Sequence, residues 1–186
     1  EPIAIVGLGL RMPGGATDLA SYFELLREGV DLVGPMPNER WDVDAFFDPD
    51  PDKAGKMFTK EAAFLNDVEQ FDAAFFGISP REALKIEPQQ RLLLEISWEA
   101  LENAGIIPGK LRDSQTGVFV GVEDGDYALE QKAFSIEADI YSVSGNHLSF
   151  SAGRLAYILG LNGPAMSLNT ACSSSLVALH LAVQSL

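Results

Sequence analysis

The chain has 186 residues, 47% of them hydrophobic and 22% charged, a composition that favours a folded domain with a real core over a disordered chain. Its net charge of −14 argues against general nucleic-acid binding and against an anionic membrane surface, because both partners need clustered Lys and Arg. The single cysteine excludes an internal disulfide and a multi-cysteine metal site and fits a reducing compartment, and no apolar run is long enough to span a bilayer.

The first third of the chain predicts one strand and one helix. Residues 3–6 are apolar and end in Gly7-Leu8-Gly9, which predicts a buried strand entering a turn. Helical spacing of apolar residues then predicts a helix that begins near residue 17 or 18, buries one stripe and ends at Gly29. The stripe consists of Leu19, Tyr22, Phe23 and Leu26. Residues 35–56 predict an irregular surface loop, whose acidic segment 42–52 we expect to be solvated.

Two helix starts follow in the middle of the chain. Ser79 can cap a helix that has Pro80 at its first position, and Glu82 would complete a capping box. A second helix is predicted from Glu87-Pro88 to Gly105.

The last third predicts strands that alternate with helices. Residues 117–122 predict a buried strand and residues 165–169 predict a second strand, and the polar segment 123–140 between them predicts a loop with room for a helical turn. One further helix should end at Gly160, and another should run from Ser173 onward. This alternation predicts α/β layers around a largely buried sheet.

Both ends of the chain read as cut. The first residue is Glu1, and residues 176–186 resemble an apolar helix without a stop signal. We therefore expect a piece of a larger protein.

Gly7-Leu8-Gly9 also admits a dinucleotide site, but the fingerprint needs a third glycine where Met12 stands and a helix directly afterwards. A structural turn is therefore the stronger interpretation.

Cys172 lies where the last predicted strand meets the last predicted helix. Such a sharp turn exposes a nucleophile, and the positive end of the helix would stabilise a thiolate. Ser173, Ser174 and Ser175 are small and can cap the helix. From spacing alone, a small core cysteine stays the alternative.

The motif Thr170-Ala171-Cys172-Ser173-Ser174-Ser175 closely resembles the active-site motif of β-ketoacyl synthases of modular type I polyketide synthases. Further segments resemble the same family in the same order along the chain: residues 1–7, 71–83, 88–95, 98–102, 117–121, 153–155 and 160–164. Departures are mild. Family members often have Asp where Asn169 stands, Thr where Ser144 stands, and Cys and Phe at the positions of Leu10 and Met12.

The resemblance implies a thiolase-like layered α/β/α/β/α fold, of which residues 1–186 are the N-terminal half, with the nucleophile's strand–helix junction included and the C-terminal half absent. It implies that Cys172 accepts an acyl chain as a thioester, with its own backbone N–H as oxyanion donor. A malonyl-type extender then undergoes decarboxylative Claisen condensation. The family's enolate donors, two histidines and a lysine, would lie after Leu186.

The same resemblance implies acyl carrier protein as partner, whose phosphopantetheine arm carries the acyl and malonyl-type thioesters, with no cofactor bound directly and no metal. It implies a cytoplasmic homodimer that associates near residues 165–169. A fatty-acid synthase condensing domain and a non-catalytic dimerisation or docking scaffold remain alternatives. Residues 1–186 alone should be unstable or aggregated and form no carbon–carbon bond.

The other polar candidates have structural interpretations. His180 would lie about 12 Å along the helix from Cys172, too far for a nucleophile–base hydrogen bond, and His147 is interpreted as structural too. We expect Arg91 and Arg154 to pair internally, with substrate contact as the alternative, and we expect Trp98 and the Phe75-Phe76 pair to be core. The Cys172 sulfur should face a cavity.

Overall fold

A computed structural model of the protein describes residues 2–38 and 40–186. The chain forms two compact units, residues 10–67 and residues 1–9 with 68–186. No helix in the described part of the chain is both long and apolar enough to cross a membrane.

The smaller unit is poor in regular structure. Its elements are helix α1 (Leu19–Glu28), strand β1 (Gly34–Pro35), the single-turn helix α2 (Val43–Phe46) and strand β2 (Glu61–Ala62). The two short strands pair antiparallel, with Gly34 opposite Ala62. Most of segment 42–52 is exposed, so the prediction of an irregular, solvated loop is confirmed.

Helix α1 begins and ends where its sequence predicts. The Asp18 carboxylate accepts the Ser21 N–H at 2.8 Å, and Gly29 ends the helix in the left-handed region at φ 62°, which costs glycine little. The predicted buried stripe is wrong, because Leu19, Phe23 and Leu26 are 51%, 62% and 61% exposed. Helical spacing produces an apolar face, but burial also needs a neighbouring element to cover it.

The larger unit holds the remaining elements. They are α3 (Pro80–Ala83), α4 (Pro88–Asn103), β3 (Val118–Gly121), α5 (Tyr127–Ala133), α6 (Ile140–Asn146), α7 (Phe150–Leu159), β4 (Ala165–Leu168) and α8 (Ser174–Gln184). Strands β3 and β4 are parallel, with Val118 opposite Ala165 and Gly121 opposite Leu168. Parallel neighbours need a crossover connection, and α5, α6 and α7 lie within it.

The core of this unit lies on one face of β3. Val118 and Val120 are buried in one cluster with Leu94 of α4 and Leu155 of α7. Alternate strand residues face opposite sides, and on the other side Gly121 lies directly against the first turn of α8. The strand pair is therefore layered between helices on its two faces, which confirms the predicted α/β class.

Residues 3–6 form no strand, so that prediction is wrong. Ile5 and Val6 are 77% and 67% exposed, because a strand needs a partner and no strand of the described residues pairs with this segment. Gly7 and Gly9 instead lie against α4: an added Cβ would meet the Ala100 carbonyl oxygen at 2.4 Å and the Ile96 carbonyl oxygen at 2.2 Å. This close backbone approach explains both glycines without a nucleotide.

Strand β4 is less buried than its neighbour β3. Val118 and Val120 of β3 are buried, whereas Ala165 is exposed and Met166 is 43% exposed. Within the described chain β4 pairs with β3 along one edge only, so its other edge stays open.

Helix α6 was not predicted and α5 is longer than a single turn. The signal for α6 is local: the Asp139 carboxylate caps the helix, and Ser142 Oγ accepts the Asp139 N–H at 2.9 Å in return. This reciprocal pair uses Ser at the position where the usual capping box has Glu or Gln.

The starts of α3 and α4 are confirmed. Ser79 Oγ accepts the Glu82 N–H at 3.2 Å, and the Glu87 carboxylate accepts the Gln89 N–H at 2.8 Å. The capping box at Ser79 is wrong in its second half, because the Glu82 carboxylate binds Arg154 instead of the cap.

Candidate functional site

Cys172 lies in the turn between β4 and α8, as the sequence predicts. We call residues 169–174 the Cys172 turn. Cys172 is exposed, and the residue before it, Ala171, has a left-handed backbone with φ 53°. That conformation costs a residue with a Cβ roughly 1–2 kcal/mol, so the surrounding turn must hold it in place.

Short polar side chains stabilise the turn. Asn169 Oδ1 accepts the Ala171 N–H at 3.1 Å. Ser174 Oγ accepts the Thr170 N–H at 2.9 Å and donates to the Ala171 carbonyl at 2.7 Å. The Ser173 hydroxyl donates to the Thr170 carbonyl at 2.8 Å. Ser173 and Ser174 therefore bind the turn, and the side chain of Ser173, which directly precedes α8, makes no capping hydrogen bond to the helix.

A glycine brings α8 against the sheet. A Cβ at Gly121 would lie 2.7 Å from both the Ser174 carbonyl carbon and the Ser175 nitrogen, so only glycine lets the helix start pack directly on β3. Ser174 is correspondingly buried, at 7% exposure. The position of Cys172 thus depends on the close approach at Gly121.

Most amides of the turn are already used. The N–H groups of Ala171, Ser173 and Ser174 donate to Asn169 Oδ1, the Thr170 carbonyl and the Ala171 carbonyl, respectively. The Cys172 N–H is not among these donors within the described chain. It belongs to the same residue as the thiol.

Glu123 contacts the turn from the loop that follows β3, and no motif of the sequence indicated this contact. Its carboxylate accepts from Asn169 Nδ2 at 3.2 Å. Glu123 follows β3 and Asn169 follows β4, and the carboxyl ends of parallel strands meet at one edge of a sheet. This position of Glu123, shortly after a predicted strand, was the available signal.

The predicted cavity at Cys172 stays a prediction. One cavity of about 510 Å³ is lined by Trp41, Phe46, Gly55, Lys56 and Met57. Another, of about 540 Å³, lies between α5, α6 and the segment that joins them. Cys172 lines neither of them.

Arg154 and Arg91 pair internally, as expected. Arg154 Nη1 contacts Glu82 Oε1 at 2.5 Å, Nε donates to Gln90 Oε1 at 2.9 Å, and Nη2 donates to the Ser144 carbonyl at 3.2 Å. We call these four residues the Arg154 cluster. The Arg154 side chain is only 9% exposed, so every bond in the cluster is largely shielded from water.

Arg91 is held in a similar way by buried and half-buried groups. It donates to the Ile86 carbonyl at 2.7 Å and to the Tyr127 hydroxyl at 2.8 Å. Close by, burial raises the pKa of Glu87 above its ordinary value, although hydrogen bonds from Gln89 and the charge of Arg91 partly offset that effect.

The two histidines lie in ordinary surface positions. His147 is exposed, and its Nδ1 forms a local hydrogen bond with Ser149 Oγ at 2.8 Å. His180 is exposed on α8. Within residues 2–38 and 40–186, no group of three or more His, Cys, Asp or Glu side chains is arranged to hold a metal ion.

The aromatic residues form a cluster at the edge of the core. Phe76 and Trp98 pack against the buried residues, and Phe75 meets Trp98 edge-on at a centroid distance of 4.8 Å. The expectation of core positions is right for Phe76 and Trp98. It is wrong for Phe75, which is 54% exposed because it caps the cluster on its outer side.

Solved structures with this arrangement are ketosynthase domains. The chain superposes on the oxazolomycin ketosynthase domain OzmH KS7 of Streptomyces albus JA3453 with a TM-score of 0.86 and 40% identity, covering 97% of this chain and 31% of that one. The ketosynthase from module 6 of the bacillaene synthase of Bacillus subtilis 168 gives a TM-score of 0.78 and 36% identity, with coverage of 97% and 28%.

Curated relatives are polyketide synthases. The phenolphthiocerol synthesis polyketide synthase type I Pks15/1 of Mycobacterium marinum is 50% identical over 187 residues, which cover all of this chain and 9% of that protein. Polyketide synthase GfsB of Streptomyces halstedii is 53% identical over 187 residues, 3% of its length. The chain therefore spans less than a tenth of the length of these relatives.

The fold is the thiolase-like fold of ketosynthase domains. Residues 1–186 match the family described as "Beta-ketoacyl synthase, N-terminal domain". The chain belongs to the β-ketoacyl synthase family.

Proposed function

We propose that the chain is the nucleophile-bearing, N-terminal part of a polyketide synthase ketosynthase domain, with Cys172 as its acyl acceptor. The observation that carries this proposal is the exposed thiol on a turn at the start of α8, in a chain of this family. A small core cysteine, the alternative that spacing left open, would be buried.

The reaction begins with acyl transfer. The Cys172 thiolate attacks the thioester carbonyl of an acyl chain on the phosphopantetheine arm of an acyl carrier protein. The carbonyl oxygen becomes an oxyanion, for which the Cys172 N–H is the donor within this chain. The C–S bond to the carrier breaks, the carrier thiolate takes a proton, and the acyl chain remains on Cys172.

Condensation completes the cycle. A malonyl-type thioester loses CO₂, and the electron pair of the broken C–C bond attacks the acyl–Cys172 carbonyl. A new C–C bond forms as the bond to Cys172 Sγ breaks, which frees the thiolate and leaves a β-ketoacyl chain on the carrier. Donors for the enolate are expected outside residues 1–186, so this part alone should acylate at most and condense nothing.

The open edge of β4 supports a homodimer that associates near residues 165–169. Exposed Met166 on an apolar strand with an unpaired edge is a surface that proteins normally cover. The same proposal includes acyl carrier protein as the partner and the cytoplasm as the location. The single cysteine fits a reducing compartment, which supports that location.

The test uses the full-length protein that carries this chain. It is incubated with an acyl thioester, and the peptide that contains Cys172 is examined by mass spectrometry. We expect an acyl adduct that is lost in Cys172→Ala. Iodoacetamide labelling is run in parallel. A thiol that alkylates but is never acylated, or an adduct that persists in Cys172→Ala, contradicts the proposal, whereas an inert thiol supports the scaffold alternative.

A second arm tests what the part can do. Purified residues 1–186 are offered an acyl thioester and malonyl carrier protein. We expect no β-ketoacyl product by mass spectrometry, and detection of one would contradict the division of labour proposed here.

A further inference from the structure

We propose that Asn169 is a positioning residue for Cys172, and that it acts by joining Glu123 to the backbone of Ala171. This inference deepens the proposed function and rests on it, since it concerns how the acyl-accepting thiol is held. It explains why a neutral amide, instead of a carboxylate, stands between the last strand and the nucleophile.

Both ends of the Asn169 amide are used, and in one orientation only. Oδ1 accepts the Ala171 N–H at 3.1 Å, and Nδ2 donates to Glu123 Oε1 at 3.2 Å. The reversed amide would place a carbonyl against the carboxylate and an NH₂ group against an N–H, so the hydrogen-bond network fixes the assignment.

The contact to Ala171 determines the direction of the chain at the nucleophile. Ala171 has φ 53°, a conformation that alanine rarely adopts by itself. An Asn side chain that bonds the N–H two residues later is a common way to stabilise such a turn. Because Cys172 is the next residue, a change in the Ala171 backbone would redirect both its thiol and its N–H.

The contact to Glu123 ties this turn to the end of β3. Glu123 is itself held, since its carbonyl accepts from Gln89 Nε2 at 3.1 Å. The turn is therefore anchored through β3 to the start of α4, and Asn169 is its link to that anchor.

The charged groups near Asn169 make it important that this side chain is a neutral amide. The charged or titratable groups on the neighbouring elements include Asp124 and Asp126 in the loop after β3, Glu87 with its neighbour Arg91 on α4, Arg154 on α7 and His180 on α8. Both arginines are already bound to internal partners. A carboxylate at position 169 would face Glu123 directly, and two ionised carboxylates at hydrogen-bond distance repel each other.

The experiment compares Asn169→Asp with the double variant Glu123→Gln/Asn169→Asp in the full-length protein. The double variant has the same net charge as the parent, and its new amide can donate to its new carboxylate. Iodoacetamide alkylation of Cys172 is measured from pH 5 to 9, together with the rate of acylation from an acyl thioester, and thermal melting reports folding.

For Asn169→Asp we expect alkylation and acylation to fall about tenfold at pH 8, because repulsion between the two carboxylates displaces the turn, and we expect the loss to shrink as the pH approaches 5 and one carboxylate is protonated. The double variant should return to within about twofold of the parent. A merely space-filling role for Asn169 predicts no pH-dependent loss and no rescue.

An Asn169→Asp profile that matches the parent at every pH, or a folded double variant without recovery, overturns the inference. Should Asn169→Asp not fold, recovery of folding in the double variant supports the inference and failure to recover contradicts it. A parent protein that alkylates but never acylates contradicts the proposed function instead, so the two failures are distinguishable.

Discussion

The Arg154 cluster and the Cys172 turn are both polar and densely hydrogen-bonded, yet they differ in charge and burial. In the Arg154 cluster a guanidinium that is 9% exposed meets a carboxylate that is 22% exposed. In the Cys172 turn, neutral amide and hydroxyl groups make the contacts within the turn around an exposed thiol, and the Glu123 carboxylate binds it from outside. Arg154, for which the sequence left substrate contact as an alternative, therefore already binds internal partners.

This difference separates stability from reactivity. A buried ion pair is costly to break, because the remaining charge keeps its desolvation penalty. A turn of neutral groups costs less to distort, but here a small distortion moves the nucleophile. Changes in the Arg154 cluster should therefore alter stability first, and changes around the Cys172 turn should alter reactivity first. All measurements below use the full-length protein.

Arg154→Ala should have the largest effect on stability. It leaves Glu82 without its cation and deprives Gln90 Oε1 and the Ser144 carbonyl of a donor, so we expect a loss of about 3–5 kcal/mol in the free energy of unfolding. Urea unfolding, monitored by hydrogen exchange of peptides from α4 and α7, measures this loss. The rate of Cys172 alkylation in the folded fraction should stay within about twofold of the parent.

The matched control is Arg81→Ala. Arg81 also pairs with a carboxylate, Asp139 at 3.0 Å, but its side chain is 71% exposed, so we expect a loss below about 1 kcal/mol. Equal losses for the two arginines would contradict the distinction between them.

Gly121→Ala should disturb the Cys172 turn more than the fold. The new Cβ would lie 2.7 Å from the backbone of Ser174 and Ser175, which forces α8 away from β3. Overpacking of this kind costs roughly 1–3 kcal/mol, and we expect a severalfold change in Cys172 alkylation, measured beside the melting temperature. Unchanged alkylation with a full loss of stability would show that the position of α8 does not control the thiol.

Gly153→Ala is the glycine control and should act in the opposite direction. Gly153 lies inside α7, and an added Cβ would have nothing within 4 Å. Alanine is favoured over glycine in a helix interior by about 0.5–1 kcal/mol, so the melting temperature should rise slightly with alkylation unchanged. A drop in melting temperature would reveal a contact at this face of α7.

Glu87→Gln should have the smallest effect, visible through pH. Because burial raises the pKa of Glu87, the folded state binds the proton more tightly than the unfolded chain. The contribution of this group to stability therefore falls as the pH rises through its unfolded and then its folded pKa. The difference in melting temperature between variant and parent should therefore shift in favour of the variant as the pH rises from 4 to 7, with a small gain at pH 7. A difference that shifts in favour of the parent over that range would contradict this assignment.

The sequence by itself determined the local features of this protein. Caps and stops such as Asp18, Gly29, Ser79 and Gly160 lie where predicted, because they depend on contacts within a few residues. The strand–helix junction at Cys172 follows from the change of apolar period on its two sides. The ordered motifs identified the family, because together they are far more specific than any one of them.

Only the tertiary structure decided which apolar surfaces are covered and which distant side chains pair with each other. Residues 3–6 have strand composition but no partner, and the apolar face of α1 has no cover, so both predictions failed at a step that local sequence does not encode. Glu82 meets Arg154, 72 residues away, and Glu123 meets Asn169, 46 residues away. Such contacts form because parallel strands bring their carboxyl ends together and packed helices bring distant charges to one buried point, where each must find a partner.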